Sequence, residues 1–160
     1  GGKLTEGIFS GETINTPSML CVEDYIDALL WAKNLGGLKA LIGRADANAK
    51  VIHDFVAAND WIANLAVKAE TESNTSVCLK IVDKDVVALD ADGQANFAKG
   101  LVALLEKEAV AYDVGHYRDA PSGLRIWAGA TIEASDMQKL MPWLAWAFET
   151  QKATLSQAAA

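Results

Sequence analysis

Between Gly37 and Asp60, the residues Leu38, Leu41, Ile42, Ala45, Ala49, Ile52, Phe55 and Val56 recur at helical spacing and trace one face over about five turns. A helix carrying so long an apolar stripe must be covered, and this requirement constrains the rest of the chain. With 160 residues, 51% of them hydrophobic, there is material for one core and one domain. His53 lies beside the stripe, where a lone histidine reads as a packed or half-exposed residue rather than a catalyst.

The neighbouring segments supply the cover. Met19, Val22, Ile26, Leu29 and Leu30 form a first helical pattern, with Ser18 as its N-cap and Gly36 as its stop. The run 76–82 has strand length and a β-branched bias, and Phe97, Leu101, Leu104 and Leu105 mark a third helix from about Gln94 to Glu108. Residues 111–114 and 123–128 read as two short strands joined through Pro121. Ser135 and Gln138 form a capping box for a last helix containing Leu140, Leu144, Ala147 and Phe148, which Pro142 should kink. This order predicts an α+β domain, a sheet of about three strands with helices packed on one face. Residues 1–17, rich in glycine, read as an interface arm or linker, 18–150 as the domain, and 151–160 as a frayed tail.

Charge narrows the function. A net charge of −7 leaves no basic face for a nucleic-acid backbone or an anionic membrane. There is no apolar run near the roughly 20 residues that span a bilayer and no secretory signal, so a soluble, cytoplasmic protein is expected. Cys21 and Cys78 lie in apolar surroundings and read as core thiols of a reducing compartment. With His53 and His116 far apart, no metal site is expected. The five tryptophans read as core and interface residues. Nucleophile-elbow, Walker, dinucleotide and zinc-protease motifs are absent. The start at Gly1-Gly2-Lys3, without an initiating methionine, leads us to expect that the chain is part of something longer.

Any anion site must therefore be local, and two constellations could provide one. Two of only three arginines, Arg118 and Arg125, stand seven residues apart, and two guanidinium forks on one hairpin could clamp a doubly anionic small molecule near one end of the sheet. His116 could add a third donor. The competing reading is a pair of surface ion pairs with nearby acids. The second constellation is 11–18, where polar side chains and free amides before the first helix could hold an anion, or serve as an ordinary turn and cap.

The stretches Gly7-Ile8-Phe9, Gly11-Glu12-Thr13-Ile14-Asn15-Thr16-Pro17-Ser18-Met19-Leu20, Gly36-Gly37-Leu38, Asn74-Thr75-Ser76-Val77-Cys78-Leu79, Tyr117-Arg118-Asp119-Ala120-Pro121 and Gly123-Leu124-Arg125-Ile126-Trp127 together resemble the C-terminal part of the phosphoserine aminotransferase family. This is a pyridoxal-phosphate, fold-type I group, and the likeness is to its α-proteobacterial-type form. The resemblance implies that Asn15 and Thr16 reach the cofactor phosphate of a partner subunit in a homodimer. It implies that Arg125 holds the substrate α-carboxylate and that Arg118, with His116, meets the substrate phosphate from the neighbouring subunit. A small residue in place of His116 is the family pattern, so His116 is a departure. The substrates implied are phosphoserine or phosphohydroxypyruvate with glutamate or 2-oxoglutarate. The Schiff-base lysine, the aromatic that stacks on the cofactor ring and the aspartate at its pyridine nitrogen would lie in a large domain upstream, so this chain alone is expected to be inactive. Two other readings are a free-standing module that senses an anionic metabolite and a purely structural dimerisation fragment.

Overall fold

The computed structural model describes residues 2–158. They divide into two compact units, Gly1–Leu41 and Ile42–Ala160. The first contains a 3-10 turn, Glu6–Ser10, and helix α1, Met19–Asn34. Ser18 caps α1 as expected, its hydroxyl accepting the Cys21 amide at 3.5 Å. Where a core-facing stripe was expected, no residue of α1 is buried, and Cys21 is exposed rather than a core thiol. Helical periodicity places those side chains on a face but cannot say what covers it.

Helix α2 runs Gly37–Ala57, and its turns within the second unit bury Ala45, Asn48, Ala49 and Ile52. The sheet that faces them has the order β1-β2-β3, all antiparallel, from β1 (Ile62–Asn64), β2 (Ser76–Ile81) and β3 (Gly123–Trp127). Side chains alternate along each strand. Val77, Leu79, Leu124 and Ile126 are buried in the core, whereas Ser76, Cys78, Arg125 and Trp127 on the alternate positions are half-buried or exposed.

The α+β class, the three-stranded sheet and the single helix-covered face match expectation, but one strand is different. Residues 111–114 do not form a strand. Asp113 has φ 53°, outside the β region, so pairing beside β3 reduces to one bridge, Gly115 to Leu124, and one bond, Arg125 N–H to Val114 C=O at 2.8 Å. The third strand is instead β1, three residues that follow α2 after a short turn.

Helix α4, Ala91–Lys107, starts at Asp90, whose carboxylate accepts the Gly93 amide at 2.8 Å. It ends where Ala109, at φ 55°, takes the left-handed position that closes a helix, with Val110 N–H reaching back to Leu105 C=O. Helix α5, Ala134–Ala158, begins one residue before Ser135, so the expected capping box is not formed. Pro142 lies inside α5, where its missing N–H leaves the Gln138 carbonyl without its intrahelical donor. Residues 151–158 continue the helix where a frayed tail was expected.

Phe97, Leu101 and Leu105 of α4 and Leu144 and Phe148 of α5 complete the core with Ile52 and the inner strand residues. Trp61 stacks flat on Phe148, with centroids 4.1 Å apart and planes 7° from parallel. Each such fully buried side chain stabilises the fold by about 1.5–3 kcal/mol. Of the five tryptophans only Trp61 is buried; the other four are exposed and do not join this core. Among the described residues Asn48 is the one buried polar residue, and its amide donates to the carbonyls of Ala128, Gly129 and Ile132, fastening the turn after β3 to α2. Arg44 reinforces this, donating to Ala130 C=O at 2.7 Å and pairing with Glu133.

Between β2 and α4 a one-turn helix, α3 (Lys84–Val87), is capped by Asp83, which accepts the amides of Asp85 and Val86 and pairs with Lys152 of α5. Burial works against the Asp83 charge, but the Lys152 hydrogen bond, the two amides and the Lys152 charge outweigh it and hold the carboxyl below its ordinary value. A carboxyl depressed on folding stabilises the native state at and above its unfolded pKa, and this contribution is lost as pH falls through the folded one. Asp83→Asn should therefore lower thermal stability at neutral pH and flatten its decline below about pH 4. Parallel melting curves for parent and variant across pH 2–7 check this, and an unchanged acid slope would count against it.

Candidate functional site

Gly123 explains how β3 can carry its cargo. A Cβ at this position would fall 2.1 Å from the Leu79 carbonyl oxygen, so only glycine lets β3 lie this close to β2 at its first residue. Two residues on, Arg125 pairs with Cys78 in the middle of the β2–β3 ladder rather than at one end of the sheet, and its side chain leaves from the face opposite the core.

The guanidinium is held from three directions. Nη2 donates to the Asp113 carboxylate at 2.8 Å and to the Asp113 main-chain carbonyl at 3.2 Å. The Tyr117 ring lies beneath the group, with its centroid 4.6 Å from Cζ, and the Tyr117 hydroxyl meets the Ser76 hydroxyl at 3.4 Å. Nε is buried with no partner among the described residues. The Arg125 side chain is 15% exposed. Its hydrogen bond to the Asp113 carboxylate raises the Arg125 pKa above its ordinary value, against a smaller effect of burial. Trp127, on the same face, lays its indole over Gly129, in the turn that Asn48 anchors. A pre-oriented, permanently charged planar fork on a rigid strand, backed by the Tyr117 ring, is suited to a small carboxylate.

Within the second unit, Arg118 and His116 share no hydrogen bond or ion pair with this group among the described residues. Arg118 occupies the turn closed by Ala120 N–H to Tyr117 C=O; it is exposed and has no ion pair among the described residues. His116 is half-buried and lines a shallow depression with Lys99, Val102 and Glu106 of α4, sharing no partner with Arg125. Asn15 and Thr16, in the first unit, are exposed in the bend before α1, and neither side chain is engaged by a hydrogen bond among the described residues. Free polar side chains beside a helix start have the donor chemistry that a phosphate ester requires.

Asp113 and Tyr117 were not singled out from the sequence, although both lie next to the segment that was. Tyr117 adjoins Arg118 in the chain yet packs on Arg125, a pairing set by the Gly115–Leu124 bridge with its Arg125 N–H to Val114 C=O bond. A cleft of about 330 Å3 is lined by His53, Asn64, Glu72, Ser76 and Cys78 among others; Ser76 and Cys78 also neighbour the Arg125 group, but no arginine lines the cleft. There Asn64 donates to Glu72 at 3.0 Å, and His53 Nε2 stands 3.5 Å from the same carboxylate, tying α2 to the turn before β2. Among the described residues no group of three or more metal-binding side chains is present, and no helix is long and apolar enough to cross a membrane.

No family model matches the chain. The phosphoserine aminotransferases of Methanosarcina barkeri (strain Fusaro) and Methanosarcina mazei are each 51% identical to it over 152 residues, covering 95% of this chain and 38% of theirs. The chain thus spans well under half the length of these relatives. A phosphoserine aminotransferase solved to follow radiation damage of its Schiff base superimposes with a TM-score of 0.72 at 18% identity, over 89% of this chain and 36% of that one. The pyridoxal-phosphate-bound enzyme of Trichomonas vaginalis gives 0.67 at 18% identity, over 86% of this chain and 36% of that one. At these identities the structural likeness shows a shared fold.

Proposed function

We propose, from the premise that this chain matches the C-terminal 38% of phosphoserine aminotransferase, that it serves as the substrate-recognition segment of a phosphoserine:2-oxoglutarate aminotransferase of serine biosynthesis. The observation that carries the reading is the 51% identity sustained over 95% of the chain, a span that includes both the 11–18 segment and the Gly123-Leu124-Arg125 strand. A likeness running from end to end favours a segment of that enzyme over a free-standing anion sensor.

In this reading Arg125 takes the α-carboxylate. It fixes the substrate in one orientation, since a bidentate pair defines both distance and plane. Arg118, exposed on its turn and without an ion pair among the described residues, offers a charge to the substrate phosphate across a homodimer interface, and His116 contributes less directly. Asn15 and Thr16 hold the phosphate of the partner subunit's pyridoxal phosphate, their free side chains and the start of α1 supplying donors. Bound pyridoxal phosphate supplies an electron sink that lets an amino group pass between amino acid and oxo acid. The proton-shuttling lysine comes from the upstream domain. Residues 1–17 act as the interface arm, 18–150 as the small domain and 151–160 as its end, in a cytoplasmic homodimer.

The test joins the upstream part of a Methanosarcina relative to this chain and measures glutamate-dependent transamination of phosphohydroxypyruvate. Activity is expected in the joined protein and not in the 160-residue chain alone. A folded joined protein that retains pyridoxal phosphate yet leaves phosphohydroxypyruvate unconverted would overturn the reading.

A further inference from the structure

A guanidinium binds a carboxylate bidentately along an edge that offers two parallel N–H donors. On Arg125 the edge that includes Nε is closed, because Nε is buried and has no contact with solvent. The edge formed by Nη1 and Nη2 remains, and Nη2, one of its two donors, already donates to Asp113 Oδ2 at 2.8 Å. The occupant is lightly held. The Asp113 side chain is 87% exposed, against 15% for Arg125, and makes no other hydrogen bond among the described residues. Its backbone sits at φ 53°, a conformation that aspartate, asparagine and glycine tolerate better than other residues. The same residue's carbonyl also accepts from Nη2, at 3.2 Å, so the carboxylate can leave while the carbonyl and the Tyr117 ring keep the guanidinium oriented.

We infer that Asp113 is a built-in competitor for the Arg125 fork: its carboxylate holds the site when no ligand is present, and a carboxylate ligand enters by displacing it into solvent. This rests on the reading of Arg125 as a carboxylate fork. The ligand class is a small molecule with a planar carboxylate able to span Nη1 and Nη2. An anion without that two-oxygen edge gains too little to evict Asp113. The pair is open to solvent on its Asp113 side, which weakens it, so the competition sets a threshold without blocking the site.

The experiment follows the Arg125 Nε–H and Tyr117 ring signals by NMR while sodium acetate is added to the 160-residue chain, with sodium chloride at equal ionic strength as the control. Asp113→Asn removes the charge, and Asp113→Gly removes the side chain while accepting the positive φ and keeping the carbonyl. Both variants should reach half-saturation at about two- to fivefold lower acetate than the parent, with chloride inert in all three. Arg125→Lys should abolish the Tyr117 response. If both Asp113 variants saturate at the same or higher acetate than the parent while Arg125→Lys still abolishes the response, Asp113 is a positioning residue; the competitor inference fails and the carboxylate fork stands. If acetate moves the signals in neither the parent nor the variants, the fork reading fails and the inference falls with it.

Discussion

Gly123→Ala is expected to cost the fold about 3 kcal/mol or more, among the larger effects a single methyl group can have. The added carbon would stand 2.1 Å from the Leu79 carbonyl oxygen and 3.3 Å from the Lys80 Cα, both backbone atoms that no rotamer change can move. Relief requires β3 to part from β2. That loosens a five-residue register running from Lys80↔Gly123 to Ser76↔Trp127 and pulls Leu124 and Ile126 from the core. Chemical denaturation of parent and variant, compared at their midpoints, measures the loss. A midpoint within experimental error of the parent would mean that the strands separate at little cost and that the spacing at Gly123 is not limiting. The expected loss precedes any effect on chemistry, because Arg125 reaches its place only if β3 is docked.

Arg125→Ala should act in the opposite manner, sparing the fold and removing function. Its partners are Asp113, which is exposed and can return to water, and the Tyr117 ring, so stability should change by about 1 kcal/mol or less. If Arg125 takes the substrate carboxylate as proposed, the variant in the joined enzyme loses two charge-assisted hydrogen bonds to it, each worth about 1.5–3 kcal/mol. The ratio kcat/KM for phosphohydroxypyruvate should therefore fall by at least about a hundredfold. Steady-state kinetics with a melting curve on the same preparation separate the two effects. Unchanged kcat/KM in a folded Arg125→Ala enzyme would remove Arg125 from the site. Lysine at 125 keeps the charge but not the planar fork, and should recover only part of the loss.

Much of this architecture was legible beforehand, because long periodic segments report their own structure. The stripe of α2, the Phe97-Leu101-Leu105 face of α4 and the β-branched run of β2 all form where their patterns place them. What escaped had a physical reason in each case. The strand β1 is three residues long, too short to show alternation, and is recruited by its register with Ile81, Lys80 and Leu79. Residues 111–114 carry strand-like composition, but Asp113 leaves the β region, so composition there is overridden by one backbone angle. The alanine-rich stretch from Gln151 reads as a tail in isolation, yet Leu155 packs against the core and Lys152 binds Asp83, sixty-nine residues distant. At the candidate site the sequence singled out Arg125 and its strand but not its neighbours. Asp113 and Tyr117 come to it through a single bridge, and no local pattern encodes that bridge.

The uneven burial of the tryptophans gives the chain an internal optical contrast. Trp61 stacks on Phe148 in the core, whereas Trp31, Trp127, Trp143 and Trp146 are all at least 38% exposed. The enclosed indole emits furthest to the blue, so unfolding shifts it more than any of the half-exposed four. The blue component of the difference spectrum therefore weights the junction of α5 with the sheet layer. Replacing Trp61 with phenylalanine should shrink the emission shift on melting and leave indoles that report on the outer faces.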